Sequence, residues 1–326
     1  MNGGTVVGSG DRVQGGRHLG TRLAAMLVWL AVVLASPVAL RSADGSEAFD
    51  AARALANATH LAGTIGERAA GTPGEAAAGT WLADQFSALG YDVVRQPFRV
   101  VRFAVPYTAT NIIAEKPGLP GYGILFVGAH YDTRFPIDNS PLHGPGANDN
   151  ASGTGVLLEA ARVVAGESFS PTVRFIAFSA EEDGLVGSYY HVAHLSLAER
   201  LRAEGMLNLD CVGIGSSFQV LVRDEAHLPF AQGLGIVADK TAVESGAMSD
   251  HVPFAAAGIP AAFLFMEPEL PPCGPDYHQV TDTPDKLEVA ALARTGNALV
   301  GALRTVAAQA QPREVHFLFL PEVARN

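Results

Sequence analysis

The sequence predicts one α/β domain: a central mixed, largely parallel β-sheet flanked by helices on both faces. Three observations predict it. Short runs rich in Val, Ile, Leu and Phe recur from residue 91 onward, helical periodicities separate several of them, and no Pro-, Gly- or Ser-rich linker interrupts the series. Runs that are apolar at successive positions suit strands buried on both faces, and the intervening helices suit parallel crossovers.

Taken in order, a helical pattern covers residues 47–65 and a second covers 73–89, stopping at Gly90 as helix ends commonly do. The period then changes. YDVVRQPFRV, TNIIAEK, GILFVGAHYDT, TVRFIAFSAEE, GMLNLDCVG, FQVLVRD and PAAFLFM read as strands. Helical segments lie between them at 152–166, as a pair within 187–204, and at 225–240. The last helix takes Thr283 as its N-cap and Pro284 as its first residue, and Leu287, Ala291, Leu299, Leu303 and Val306 keep helical spacing. EVHFLFLPEV, at 314–323, is expected to add an edge strand.

Of the 326 residues, 48% are apolar, enough for a large core. The net charge is −11 and no basic run follows the amino terminus, which argues against a nucleic-acid partner. The start departs from the globular pattern: Arg12, Arg17 and Arg22 precede an uncharged apolar run at 23–40, followed by RSADGSE. Residues 1–45 read as a signal peptide cleaved after Ala35, or as an amino-terminal membrane anchor with its tether at 23–40, plus a short linker. Both put the domain, 46–326, outside the cytoplasm. There Cys211 and Cys273 either pair or stay as buried thiols, and the sequence supports both equally.

In open α/β sheets, ligands gather at the carboxyl ends of strands. GILFVGA ends in His130, Tyr131 and Asp132, TVRFIAFSA in Glu181, Glu182 and Asp183, and GMLNL in Asp210. Two loops add Asp149, within GPGANDNASG, and His278, within CGPDYHQVTDTPDK. Glycines 144, 146 and 153 allow the tight backbone that brings Asp149 to the sheet edge. Each residue alone has a plainer reading. Asp149 reads as a turn or N-cap residue, Glu181 and Glu182 as a solvated strand end, and His130 equally as a satisfied histidine. Asp210 inside the apolar MLNLDCVG is harder to dismiss, because an unpaired carboxylate there is costly. Together they give two histidines and several carboxylates on one rim. That donor set suits zinc or a similar divalent ion, and it exceeds one tetrahedral site, so two metal ions are expected.

In chain order, GAHYDT, GPGANDNASG, FSAEEDGLVGS, NLDCVG, SDHVPFAAAGIP and YHQVTDT resemble the co-catalytic zinc aminopeptidases of the M28 peptidase clan, secreted bacterial members especially. The resemblance runs from about Thr110 to the last helix and implies the zinc exopeptidase, phosphorylase/hydrolase-like fold. It implies that His130 and Asp210 hold one zinc, Glu182 and His278 the other, and that Asp149 bridges them. Glu181 becomes the general base for a metal-activated water. Asp132 is the carboxylate that orients the His130 imidazole, and Tyr277 resembles the tyrosine that steadies the developing oxyanion. A cis peptide between Asp149 and Asn150 is also implied, with Asn150 where many members carry a second aspartate.

The expected substrate is a peptide with a free amino terminus, which the acidic site attracts. Asp250 is read as a residue behind the ligands or a helix cap, and His143, His191, His194 and His227 as surface or interface residues. Phe135, Met248, Phe254 and Met266 flank the motifs and are expected to pack in the core rather than line a pocket. The nearest alternative is glutaminyl cyclase, which shares the fold and uses one zinc. A second alternative is a receptor or binding ectodomain that has lost catalysis. A clan member with an inserted lid domain does not fit, because the stretch 210–250 is too short for one.

Overall fold

The computed structural model describes Met1 and residues 47–135, 144–244, 246–270 and 272–312. The apolar run at 23–40 and the expected edge strand at 314–323 lie outside the described residues. Among those described, no helix is long and apolar enough to cross a membrane.

Among the described residues, eight strands form one sheet in the order β1-β2-β4-β3-β5-β8-β6-β7. They are β1 (Asp92–Arg102), β2 (Val105–Lys116), β3 (Ile124–His130), β4 (Thr172–Phe178), β5 (Ala203–Leu209), β6 (Ser217–Val222), β7 (Lys240–Val243) and β8 (Ala261–Glu267). The centre, β4-β3-β5-β8, is parallel. The β1–β2 hairpin joins β4 antiparallel on one side, and β6 joins β8 antiparallel on the other.

Every residue of β3 is buried. Its alternating side chains feed two separate cores: Leu125, Val127 and Ala129 face one, Ile124 and Phe126 the other. The first core is covered by α1 (Ala51–Thr59), α2 (Pro73–Ala88) and α3 (Ser152–Val164), through residues such as Ala58, Phe86 and Leu157. The second is covered by α4 (Val186–Ala193), through Val192; α5 (Leu197–Arg202) follows, and α6 (Leu228–Gly233) returns to the first core with Ala231. The short α7 (His251–Ala256) adds Phe254 to the second core, and the long α8 (Val289–Gln309) adds Leu292, Leu299 and Leu303 to the first. The sheet is therefore buried on both faces, as its uninterrupted apolar strands require.

Local chemistry sets the helix starts. The Asp50 carboxylate accepts from the Ala52 and Arg53 amides, and Thr72 caps α2 by accepting from the Glu75 amide, with Pro73 next. Two expected elements differ. The 225–240 segment is helical only to Gly233, with a 3-10 turn at Glu225–His227, and its far end begins β7. The last helix begins at Val289, because Leu287 is extended (ψ 135) and separates it from a single 3-10 turn at Pro284–Lys286.

Cys211 and Cys273 are joined by a disulfide with their Cα atoms 5.6 Å apart. His191 and His227 are buried rather than superficial, whereas His194 is exposed; His143 lies outside the described residues. Phe254 and Met266 are core residues as expected, but Met248 is 57% exposed.

Candidate metal centre

His130 is the last residue of β3, Asp210 follows β5 directly, and Glu181 and Glu182 follow β4 after a two-residue gap, Ser179 and Ala180. Ala180 takes φ 59, Cys211 φ 52 and His278 φ 57. Non-glycine residues rarely adopt this left-handed region, so the chain turns sharply just before Glu181, just after Asp210 and at His278 itself. The turn at Ala180 explains how two adjacent carboxylates reach one rim, since adjacent residues on a continuing strand would face opposite ways.

Asp149 lies in a π-helical turn, Ala147–Ala151, ahead of α3, and its peptide bond to Asn150 is cis. Gly146 precedes it at φ 55, and a Cβ on Gly153 would stand 2.3 Å from Asn150 Oδ1, so both glycines serve the close approach. Asn150 caps the start of α3 by accepting from the Gly153 amide at 2.9 Å. That leaves the Asp149 carboxylate free for another task.

The two oxygens of Asp149 face opposite histidines. Oδ1 lies 3.2 Å from His130 Nε2, and Oδ2 lies 3.2 Å from His278 Nε2. On the inner side, Asp210 Oδ1 stands 3.5 Å from His130 Nε2. On the outer side, Glu182 Oε2 stands 3.1 Å from His278 Nε2. Donor atoms of His130, Glu181 and Asp210 lie within 4.8 Å of one another, as do those of Asp149, Glu182 and His278. Cys211 sits beside Asp149 and Asp210, but its sulfur is committed to the disulfide.

His130 Nε2, Asp210 Oδ1, Glu182 Oε1 and His278 Nε2 are buried without a hydrogen-bond partner. Buried polar atoms are almost always paired, so four converging orphans fit bound cations. Electrostatics agrees. Burial pushes Glu181 well up, reinforced by the carboxylates of Asp210, Asp250 and Glu182 and opposed by His130. Burial, then Asp149, pushes Glu182 up to about 7. Burial works against charge on both histidines, yet Asp210 and Glu181 raise His130 well above its usual range, and Asp149 and Glu182 raise His278 to about 9. Asp149 is held low despite its burial by the two imidazoles that face its oxygens. The acids thus favour positive charge on their histidines.

Asp132 is fully buried, and its carboxylate meets more than the imidazole. Its carboxylate accepts from the Glu181 amide at 3.2 Å and the Glu182 amide at 3.4 Å, while Oδ1 lies 3.6 Å from His130 Nδ1. The nearer acceptor for Nδ1 is the Asp132 carbonyl, at 3.2 Å. Tyr277 stacks on His278 with ring centroids 3.6 Å apart, and burial pushes its hydroxyl pKa up. Asp250 is fully buried and its side chain caps nothing; both oxygens lack a hydrogen bond, and burial raises it to about 7. The neighbouring Ser188 hydroxyl donates to the Leu185 carbonyl instead.

Several supporting residues were not singled out by the sequence. Asp282 accepts from the Asn148 amide at 2.8 Å and the Asp149 amide at 3.1 Å, holding the turn that presents Asp149. Arg68 is completely buried, and its guanidinium donates to the carbonyls of Leu61, Gly66, Tyr131, Pro145 and Gly146. Burial lowers its pKa to about 10. Glu75 accepts from the Tyr131 hydroxyl, the Ser179 hydroxyl and the Thr110 amide, tying together the ends of β3 and β4. The only hint was an arginine between two helices in GERAAGTPGE and an aspartate inside YHQVTDT.

Beside the donors opens a cavity of about 540 Å³, lined by Asp149, Glu181, Asp210 and Tyr277, by the apolar Leu221, Met248, Phe263 and Phe265, and by Gln219, Lys240, Glu244 and Glu267. Its size is typical of a small-molecule site.

The pattern of peptidase family M28 matches residues 111–303. Aminopeptidase YwaD of Bacillus subtilis is 38% identical over 210 residues, covering 60% of this chain and 44% of the relative. The chain spans about half the length of the curated relatives it matches. Among solved structures, BSAP, a zinc aminopeptidase from Bacillus subtilis, superposes with a TM-score of 0.70 at 24% identity, over 81% of this chain and 96% of that one. A glutaminyl cyclase from Bacteroides thetaiotaomicron gives 0.66 at 23% identity, over 79% and 98%. The shared fold thus accommodates both chemistries, whereas the family match covers more than half of this chain and includes every donor described above: the protein belongs to peptidase family M28.

Proposed function

We propose that the protein is a two-zinc aminopeptidase acting on peptides with a free amino terminus. The observation that supports this most is the Asp149 carboxylate, whose oxygens each stand 3.2 Å from a different histidine. One carboxylate shared between His130 with Asp210 and His278 with Glu182 is the arrangement expected for two adjacent metal ions. When bound, zinc supplies Lewis acidity and a lowered water pKa.

The residues of the chain divide the remaining work. Glu181, held by its amide to Asp132, takes a proton from water and passes it to the leaving amine. Burial, which favours its neutral form, suits a group that must hold the proton between those two events. The Tyr277 hydroxyl is assigned to the developing oxyanion. The acids lining the cavity attract the substrate's terminal ammonium, and Phe263, Phe265 and Leu221 offer apolar surface for its first side chain. The disulfide fits an oxidising compartment, in line with an extracytoplasmic enzyme whose leader is cleaved or kept as a tether.

The test is metal content together with release from a panel of aminoacyl arylamides, with and without a chelator. Two zinc per chain and chelator-sensitive release are expected. Glu181→Gln should retain metal and lose about 10²–10⁴-fold in kcat. One zinc with pyroglutamate formation from amino-terminal glutamine would replace this reading with the cyclase.

A further inference from the structure

The residue after the inner carboxylate carries a sulfur. Cys211 is 1% exposed, and its sulfur and a carboxylate oxygen of each of Asp149 and Asp210 all lie within 4.8 Å of one another. Ligand atoms on one tetrahedral zinc, bonded at about 2.3 Å for sulfur and about 2.1 Å for oxygen, stand about 3.6 Å apart, so about 1 Å of movement at most separates this sulfur from ligand spacing. Asp210 accepts from the Ser249 hydroxyl through Oδ2 at 2.7 Å, and its Oδ1 has no hydrogen-bond partner. What keeps Cys211 from serving beside it is the bond to Cys273.

The two cysteines are held differently. The Cys211 carbonyl accepts from the Met266 amide at 3.2 Å, and the next two amides, Val212 and Gly213, donate to Ser152 Oγ at 3.2 Å and to Asn148 Oδ1 at 2.9 Å. Its place therefore does not depend on the disulfide. Cys273 lies in a turn, partly exposed, and lines the cavity beside the donors, so a reductant reaches the bond from that side.

We propose that Cys211 is a latent ligand of the inner ion, released when a dithiol opens the disulfide. This rests on the two-metal reading above. In that step the dithiol becomes a disulfide, Cys211 and Cys273 gain its two electrons and two protons as thiols, and the Cys211 thiol yields its proton to water as the sulfur binds the ion. The consequence follows from the number of donors. His130, Asp149 and Asp210 give the inner ion three protein ligands, the number that catalytic zinc carries, with one position kept for water or substrate. A thiolate raises the number to four, as in structural sites, and closes that position. The disulfide thus does more than tie two segments together: it withholds from the site a ligand softer than the others, and hydrolysis requires the bond to stay closed.

Cobalt(II) loading of the metal-free full-length protein, read by the near-ultraviolet charge-transfer band that a thiolate gives when it binds cobalt, tests this. Oxidised wild type should take up two ions without that band. Cys273→Ser, which leaves Cys211 as a thiol, should show the band at one thiolate per chain with no reductant, and its zinc form should release arylamines at least ~10-fold more slowly than wild type. Cys211→Ser, which leaves only Cys273, should show no band. Wild type should gain the band on treatment with a water-soluble phosphine and lose it on reoxidation, and thermal melting of the metal-free variants checks that they fold. Two bound ions and no band in folded Cys273→Ser overturn the proposal while leaving the two-metal reading intact. A band of equal strength in Cys211→Ser assigns the sulfur to Cys273 and overturns it as well. A wild type that takes up no cobalt defeats both readings. If Cys273→Ser does not fold, phosphine-reduced wild type loaded with cobalt decides by the same band.

Discussion

The inner half of the candidate metal centre, His130 and Asp210, stands at strand ends, whereas the outer half, Glu182 and His278, stands on turns. Their surroundings differ accordingly. The His130 side chain is 1% exposed and its neighbours are core, while the His278 side chain is 15% exposed and its Nδ1 meets the exposed Arg134 guanidinium. Strands of a doubly covered sheet place a side chain as a by-product of packing. A turn must be tied down separately, and here the ties are visible: Asp132 holds the amides of the glutamate pair, Asn148 donates to the Cys273 carbonyl, and the disulfide fastens Cys273 to the residue after Asp210. The outer half is thus built by cross-linking and the inner half by the fold itself.

The largest effect should come from the residue common to both halves. Asp149→Ala removes a donor from each, and because metal activation supplies several kcal/mol, kcat/KM should fall at least ~10³-fold with loss of bound zinc, measured by elemental analysis. Next comes the tie between them. Replacing Cys211 and Cys273 together by serine frees a loop of 62 residues and should cost up to about 4 kcal/mol in urea unfolding. The outer ion should then exchange faster than the inner one; equal loosening would contradict the contrast drawn here.

A third prediction separates the site from its scaffold. His191 lies on α4 beside Gln96, away from the donors, and burial, helped by Arg174, lowers its pKa to about 3. The unfolded chain, titrating near the ordinary value of about 6.5, then binds the extra proton first. This contribution to stability is complete above about pH 6.5 and is lost as pH falls, the loss reaching ~2 kcal/mol at pH 5. In the metal-free protein, His191→Gln should flatten that part of the urea-midpoint profile; an unchanged slope would place the titration elsewhere. The smallest effect is expected from Arg134→Ala. An exposed contact is worth at most about 1 kcal/mol, so outer-ion affinity should change less than about fivefold.

The strands and the donors could be read from the sequence because both are local patterns: an apolar run and the ionisable residue that ends it. The missed strand β7 is short and mostly exposed and pairs only with β6, so nothing in KTAV announces it. The start of α8 was misplaced because Thr283 and Pro284 form a good helix opening that the extended Leu287 then interrupts. Asp282, Ser249 and Arg68 escaped for a different reason. Their partners lie 133, 39 and up to 78 residues away, and no periodicity encodes such a meeting.

Arg68 and Glu75 also change where the working unit begins. The family pattern starts at residue 111, yet the carbonyls around Asp149 and the hydroxyl of Tyr131 are gathered by side chains well ahead of that point. A fragment cut to the boundary of the recognised pattern would retain every donor and discard the buried groups that assemble them. Anyone transplanting or truncating this domain has to carry the first two helices with it.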